Sequence, residues 1–279
     1  MRICSLALSF LLALTCSCNC PNEKQDEITV ISYNIRVGTA NDGNNSWEYR
    51  KVATPAMITD QAPDIFGVQE ACKFQIDYIK EQCPDYESIG VGRDDGKEKG
   101  EHMSIFYNTK RIELIEWGTY WLSETPDVPS KGWDAAYPRS ATWSLLHDKN
   151  SGNNFYYVNT HLDHIGREAQ KNGLKLIVDN IRKMNSHNYP MILTGDFNVD
   201  YRDEVLSELN SMMSGARNFA EKSDTTITFN GWGELKSSVI DHIYYSGFSK
   251  CDLFEVINKS YEGCEYISDH YPVKAILKY

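Results

Sequence analysis

The sequence predicts a layered α+β or α/β sandwich, with mixed sheets inside and helices outside. Three observations predict it. Short runs of β-branched and aromatic residues interleave with segments of helical spacing. Many of the strand-like runs follow one another directly, as mixed sheets allow and a strictly alternating βαβ chain does not. Hydrophobic residues make up 41% of 279 and charged residues 24%, enough apolar surface for one large core. Aromatics reach 12%, including 17 tyrosines, which suits a sheet-rich fold.

Residues 1–20 are set apart from that fold. Met1-Arg2 precedes an apolar run from Ile3 to Ala13, then Cys16-Ser17-Cys18-Asn19-Cys20. A charged start, a short apolar core and small residues make a secretory signal, and the run is too short for a typical membrane-spanning helix. A cysteine straight after such a core resembles a bacterial lipoprotein signal. That implies an exported, membrane-anchored protein lipidated at Cys18, or alternatively at Cys16. Neither has the usual Leu three residues before it; plain soluble secretion is the other reading. Residues 21–27 are a polar tether, and 28–279 the folded domain.

Strands are expected at 28–35 and 64–70, each apolar and β-branched or aromatic. Helices are expected at 47–58, capped by Asn45 or Ser46, and at 71–82. Further strands follow at 88–91 and 101–107, then a pair of extended stretches over 111–122. Residues 123–138, rich in Pro, Gly, Asp and Trp, make a loop. Strands at 139–146 and 155–164 lead to a helix at 168–184, with Leu174, Ile177, Val178 and Ile181 on one face. Met191-Ile192-Leu193-Thr194 is a buried strand that stops at Gly195-Asp196-Phe197-Asn198. A helix at 203–213, a strand and turn at 225–232, and strands at 238–245 and 268–277 complete the chain. Cys72, Cys83, Cys251 and Cys264 remain after the signal. They permit the sequence-local disulfides Cys72–Cys83 and Cys251–Cys264, or are buried free thiols.

Several of these strands are apolar inside and end in groups that bind cations, carry protons or contact phosphate. The ends are Asn34, Glu70, His161 with Asp163, Asp196 with Asn198, Asp241, and Asp269 with His270. Such repetition points to convergence on one site, since functional residues gather at strand ends and adjoining loops. Oxygen ligands without thiolates favour a hard cation, Mg²⁺ or Mn²⁺. With two histidines beside carboxylates, the set suits metal-assisted hydrolysis of a phosphate ester.

Six motifs carry a resemblance: Tyr33-Asn34, Gln69-Glu70, Thr160-His161-Leu162-Asp163, Gly195-Asp196-Phe197-Asn198, Ile240-Asp241-His242-Ile243 and Ser268-Asp269-His270. In this order and spacing the chain resembles the endonuclease/exonuclease/phosphatase superfamily, over about residues 28–279. The resemblance implies a four-layer α/β/β/α sandwich of two mostly antiparallel mixed sheets. It implies Glu70 as the main metal ligand, with Asn34 beside it and Asp269 as a second metal-side carboxylate. Asp196 would orient or deprotonate the attacking water, and Asn198 would hold a phosphate oxygen. His161 would contact the phosphate. His270, oriented by Asp241, would bind a non-bridging oxygen or transfer a proton; Asp196 and His270 are alternative bases. Glu101 matches a carboxylate that orients His161 in deoxyribonuclease-like members.

Arg139, His164 and Arg167 are further candidates for binding substrate phosphate. His102 and His242 read as structural, and Trp121, Trp133, Trp143 and Trp232 as core or loop anchors. The net charge of −11 weakens a nucleic-acid reading, and the flanking cations Arg36, Arg50, Lys51, Arg93, Lys131, Arg139 and Arg167 are sparse. A monomeric phosphoesterase acting on a phosphorylated small molecule, glycan or lipid head group is therefore expected, touching membrane only through its N-terminal lipid. A secreted nuclease is the alternative. A non-catalytic binding protein would have no chemical need for the whole set.

Overall fold

The computed structural model describes residues 26–235 and 238–279. The signal, both lipidation candidates Cys18 and Cys16, and all of the tether before Asp26 lie outside the described residues. In chain order the first half runs β1 (Glu27–Asn34), α1 (Trp47–Arg50), α2 (Ala53–Gln61), β2 (Ile65–Gln69), α3 (Lys73–Gln82), β3 (Tyr86–Ile89), β4 (Ile105–Asn108), β5 (Ile112–Trp121) and β6 (Ser140–Asp148). The second half runs β7 (Asn154–His161), α4 (Arg167–Met184), β8 (Met191–Asp196), α5 (Ser207–Asn210), β9 (Ser214–Gly215), α6 (Ala216–Phe219), β10 (Lys222–Ser223), β11 (Asp241–Ser246), β12 (Lys250–Val256) and β13 (Val273–Lys278).

Two sheets result. One has seven strands in the order β10-β12-β13-β1-β2-β4-β3, the other six in the order β5-β6-β7-β8-β11-β9. Within them β1–β2, β7–β8 and β10–β12 are parallel and the other pairings antiparallel. Side chains alternate across each strand, so every strand serves two layers. On β1, Ile28 and Val30 join Phe155, Tyr157, Ile192 and Ile243 in the core between the sheets. Ile31 and Tyr33 point the other way, against Trp47, Met57 and Ile79 of the helices. Behind the six-stranded sheet, Leu174, Ile177, Val178 and Ile181 of α4 cover Val158 and Leu193. This is the expected four-layer sandwich.

The face between the sheets changes character along its length. Ile28 and Val30 are followed on the same face of β1 by Ser32 and Asn34, Ile65 on β2 by Gly67 and Gln69, and Phe155 and Tyr157 on β7 by Asn159 and His161. The polar layer is buried and mutually bonded. Gln69 Nε2 donates to Asn159 Oδ1 at 2.7 Å, and Asn159 Nδ2 to the carbonyls of Val68 and Ser104 at 2.8 and 3.1 Å. Thr194 Oγ1 lies 2.9 Å from Tyr157 Oη and 3.1 Å from Asn159 Oδ1. Gly67 leaves the space this network needs: a Cβ there would collide with the Asn159 amide and lie 2.7 Å from Thr194 Oγ1. At the opposite, apolar end, Arg111 donates to Asp148 at 2.9 and 2.7 Å, to Asp64 at 3.0 Å and to the Glu27 carbonyl at 2.5 Å, tying the sheets together.

Several elements differ from expectation. The helix expected over 47–58 breaks into α1 and α2, because Pro55 cannot donate to the Lys51 carbonyl and its ring crowds that turn. Residues 111–122 form one strand with a register shift between Leu114 and Glu116. The helix expected over 203–213 shrinks to a 3-10 turn, Glu204–Leu206, and the single turn of α5. Residues 225–232 hold only an isolated bridge, Phe229 to His270, because Thr228 Oγ1 turns to accept the Ile240 and Asp241 amides at 3.0 and 3.1 Å. β12 was not expected at all. Cys72, Cys83, Cys251 and Cys264 are all free thiols, so neither sequence-local disulfide forms.

Candidate active site

The site forms where the polar ends of the two inner faces meet. Asp196, the last residue of β8, is in register with His161 of β7 on one side and Asp241 of β11 on the other. These three side chains therefore stand in one row. Asn34, the last residue of β1, faces them from the other sheet. Its Nδ2 donates to Asp196 Oδ2 and Glu70 Oε1, both at 3.0 Å, while its Oδ1 accepts the Arg36 amide at 3.0 Å. Asn34 thus bridges the two carboxylates with its nitrogen, while its oxygen, the atom that would ligate a cation, is bonded to the Arg36 amide. The Ser268 hydroxyl donates to the Asn34 carbonyl at 2.7 Å, which brings Asp269 and His270 to the same place.

Backbone strain marks the cluster. Glu70, Arg36 and Asn198 adopt left-handed φ values of 61°, 60° and 53°. Each costs about 1–2 kcal/mol in a non-glycine residue and persists only where the surroundings hold it. The Val37 amide donates to Glu70 Oε2 at 3.0 Å, and the Asn198 amide to Asp196 Oδ1 at 2.9 Å, so the bends aim both carboxylates.

The two histidines are in opposite states. Burial works against charge on His270, but Asp241, 2.9 Å from Nδ1, together with Asp196 and Asp269, pushes its pKa up to about 10. His270 is therefore protonated, with Nδ1–H on Asp241 and Nε2–H 3.7 Å from Asp196 Oδ2. Burial, then the charges of Arg139, Arg93 and His270, hold His161 well below the usual imidazole range. The Asn198 amide nitrogen lies 3.0 Å from both the Leu162 carbonyl and His161 Nε2. Nε2 must accept, so His161 is neutral with its proton on Nδ1, which has no partner among the described residues. Both Asn198 amide protons are used in this way, so holding a phosphate oxygen would mean releasing His161. Asp196, buried and next to Asp241, has its pKa raised.

The remaining candidates divide. Arg139 reaches the cluster: it is buried, its charge acts on His161, its Nε donates to Asp163 at 3.2 Å and its Nη2 to His164 Nδ1 at 3.1 Å. Asp163 is structural, capping the Ile165 and Gly166 amides at 3.0 and 2.8 Å. Arg167 does not reach the cluster; it is half-exposed at the start of α4 and pairs with Asp203 at 2.5 Å. Glu101 does not orient His161. It forms a two-pronged pair with Arg93 at 2.7 and 2.8 Å, which supplies stronger, charge-assisted bonds than a neutral imidazole would. His242 is buried and bonded to the Val199 carbonyl at 2.9 Å, as a structural residue should be.

Three arginines matter more than sequence reasoning allowed. Arg36 pairs with Asp42 at 2.9 Å and lies 3.6 Å from Asp269. Arg93 lends its charge to His161. Arg50 is fully buried, donating to the carbonyls of Ile35 at 2.7 Å and Ile267 at 3.1 Å, so it stitches the two loops that carry Arg36 and Asp269. The available signal for Arg36 was its place two residues after Asn34.

Glu70, Asp196 and His270 each offer a ligand atom, and these atoms lie within 4.8 Å of one another. Carboxylate oxygens without any thiolate fit a hard divalent cation. Glu70 and Asp196, with His270 beside them, are the residues that would hold it. Burial, reinforced by the charge of Glu70, raises the pKa of Asp269, which a cation beside it would reverse.

Residues 31–270 match the model of the Endonuclease/Exonuclease/phosphatase family. The chain belongs to that family. Within the endonuclease/exonuclease/phosphatase family it is similar to a mannosyl-6-phosphatase from Bacteroides thetaiotaomicron, at 37% identity and TM-score 0.87 over 90% of this chain and all of that one. A second family protein from Bacteroides thetaiotaomicron is 38% identical, with TM-score 0.85 over 90% of this chain and 97% of that one. The catalytic domain of human nocturnin shares the fold at 20% identity and TM-score 0.71, over 91% of this chain and 94% of that one. Members of the family hydrolyse phosphate esters.

Proposed function

We propose that this protein is a Mg²⁺- or Mn²⁺-dependent phosphoesterase that releases phosphate from a small phosphorylated molecule, with a sugar phosphate monoester as the leading substrate. The observation that carries this reading is the meeting of Glu70, Asp196 and His270 within 4.8 Å, with Asp241 2.9 Å from His270 Nδ1. The bound cation would supply charge neutralisation at the phosphoryl oxygens. Protonated His270 donates Nε2–H to a non-bridging oxygen as negative charge grows there. Asp196, beside it, accepts the proton of the attacking water. Asn34 fixes the spacing of the two carboxylates. Neutral His161 lies 3.5 Å from Asp196, and the charge of Arg139 acts on it.

The relative at 37% identity acts on a mannosyl-6-phosphate, which supports a monoester of a sugar. The net charge of −11 disfavours a nucleic-acid substrate. The same reading takes the N-terminal segment as an export signal and Cys18, or Cys16, as a lipid anchor, with the enzyme working as a monomer outside the cytoplasm. The test is hydrolysis by the purified protein, with Mg²⁺ and with EDTA, of sugar phosphates, bis-p-nitrophenyl phosphate, sphingomyelin and plasmid DNA. Metal-dependent release of phosphate from monoesters is expected. Preferential cleavage of DNA would replace this reading with the nuclease one.

A further inference from the structure

We propose that the cavity beside Glu70, walled by Phe74 and the Arg93–Glu101 pair, is a leaving-group subsite for a neutral, polyhydroxylated group of hexose size. The inference rests on the phosphoesterase reading above and specifies what that site accepts. The cavity measures about 440 Å³, within the range of small-molecule sites. Its lining includes Val37, whose amide donates to Glu70 Oε2 at 3.0 Å, so it lies next to that carboxylate.

Both walls are pre-ordered. On one side the loop 92–101 is cross-bonded by the Gly92 amide to the Lys97 carbonyl at 2.9 Å, Arg93 to Glu101 at 3.0 Å and Asp94 to Lys99 at 3.1 Å. Trp121 Nε1 pins the Arg93 carbonyl at 2.7 Å, and the Tyr137 ring sits 5.3 Å from the Arg93 guanidinium carbon. On the other side Phe74 is 45% exposed despite being a large apolar residue. Its ring rests on Gly38, where a Cβ would come within 2.6 Å of Phe74 Cζ. Gly38 leaves room for this ring and for the Gln75 amide, both of which a Cβ there would meet.

The chemistry of the walls selects the ligand. Glu101 only accepts hydrogen bonds and Arg93 only donates them, whereas each sugar hydroxyl does both. A two-pronged pair therefore matches neighbouring hydroxyls, and an apolar ring matches the C–H face of a pyranose. The lining carries Asp94, Glu98 and Glu101 against Arg93 and a Lys73 already paired with Asp77 at 2.5 Å. Flanking phosphates of a nucleic acid would be repelled there. A quaternary ammonium head group would need a cage of aromatic faces, and Phe74 supplies one, opposite a buried arginine.

The test compares kcat/KM of the full chain with Mg²⁺ on mannose 6-phosphate, glucose 6-phosphate, phosphocholine and p-nitrophenyl phosphate. A hexose phosphate should be preferred to phosphocholine. In Phe74→Ala and Glu101→Gln the ratio of hexose phosphate to p-nitrophenyl phosphate should fall about tenfold, through KM, because each removes a contact to the leaving group, while any change that Glu101→Gln makes in the Arg93 charge near His161 acts on both substrates and leaves the ratio. Phe74 is half-exposed, so its variant keeps the test valid if Glu101→Gln disturbs the loop around Arg93. Ratios within twofold of the original in both folded variants, or a preference for phosphocholine, would overturn the subsite. Hydrolysis of none of these esters by the unaltered protein would instead overturn the phosphoesterase reading, and this inference with it.

Discussion

His161 and His270 stand on either side of Asp196, are both buried, and hold different protonation states for identifiable reasons. His270 has a carboxylate on Nδ1; His161 has two arginines in range and no carboxylate on Nδ1. The charge on His270 is therefore Asp241's doing and can be moved. A pKa raised above its ordinary value keeps the proton on at neutral pH and releases it only as pH climbs towards about 10. In Asp241→Asn the alkaline limb of the kcat–pH profile should shift to lower pH, and kcat at neutral pH should drop roughly 10²–10³-fold, the scale of losing one positioned donor. An unshifted limb would mean that His270 is not the group that limits activity in alkali. The residue identities were legible in the sequence, since each motif named a strand end. Their partners were not: Glu101 was free to pair with Arg93 instead of His161, and only the fold of loop 92–101 decides that.

At the scale of elements, the decisive feature is the polar layer of Ser32, Gln69, Asn159 and Thr194 beneath the site. It exists because the inner faces stop being apolar two residues before they end, and because Gly67 lets the sheets approach. Gly67→Ala should cost about 1–3 kcal/mol by overpacking, measured by denaturant unfolding. It should also lower activity more than that loss of folded protein explains, because the displaced strands carry Glu70 and Asp196. Activity falling only in step with the folded fraction would show that the layer is merely filling. Periodicity revealed the long strands and α4, where alternation or helical spacing is unbroken. It missed β12, because the register shift between Cys251 and Leu253 puts two partly exposed residues in succession and breaks the alternation. It over-read 225–232, where the Thr228 hydroxyl accepts the Ile240 and Asp241 amides and the Thr226 hydroxyl donates to Asp224.

The whole molecule is a pair of sheets joined at both ends by polar groups. At the end away from the site, burial would raise the pKa of Asp148, but the Arg111 bonds and charge outweigh it and hold the carboxyl below its ordinary range. A depressed carboxylate contributes its stability above its unfolded value of about 3.9 and loses it as pH falls through the lower folded value. Asp64, raised by burial despite the same arginine, works in the opposite sense and makes the net effect smaller. Urea unfolding at successively lower pH should show stability declining below pH about 4, with a shallower decline in Asp148→Asn. That variant should also lose about 1–3 kcal/mol at pH 7, because Arg111 gives up one of its two carboxylates and keeps Asp64. Equal pH slopes in both proteins would remove Asp148 from the account.

The bridge from Asn34 to Asp196 joins the two sheets, and the pair from His270, in the segment leading into β13, to Asp241 of β11 does the same. A cation held by Glu70 and Asp196 would span the same gap, one ligand on each page of a closed book. It would then act as a clasp, and catalytic competence would report whether the book is shut. Warming or mild denaturant would spring the clasp first, so activity would fade while circular dichroism still recorded a folded chain. Saturating metal would hold the covers together and raise the melting temperature by mass action, about 2.7 kcal/mol at a hundredfold excess over Kd.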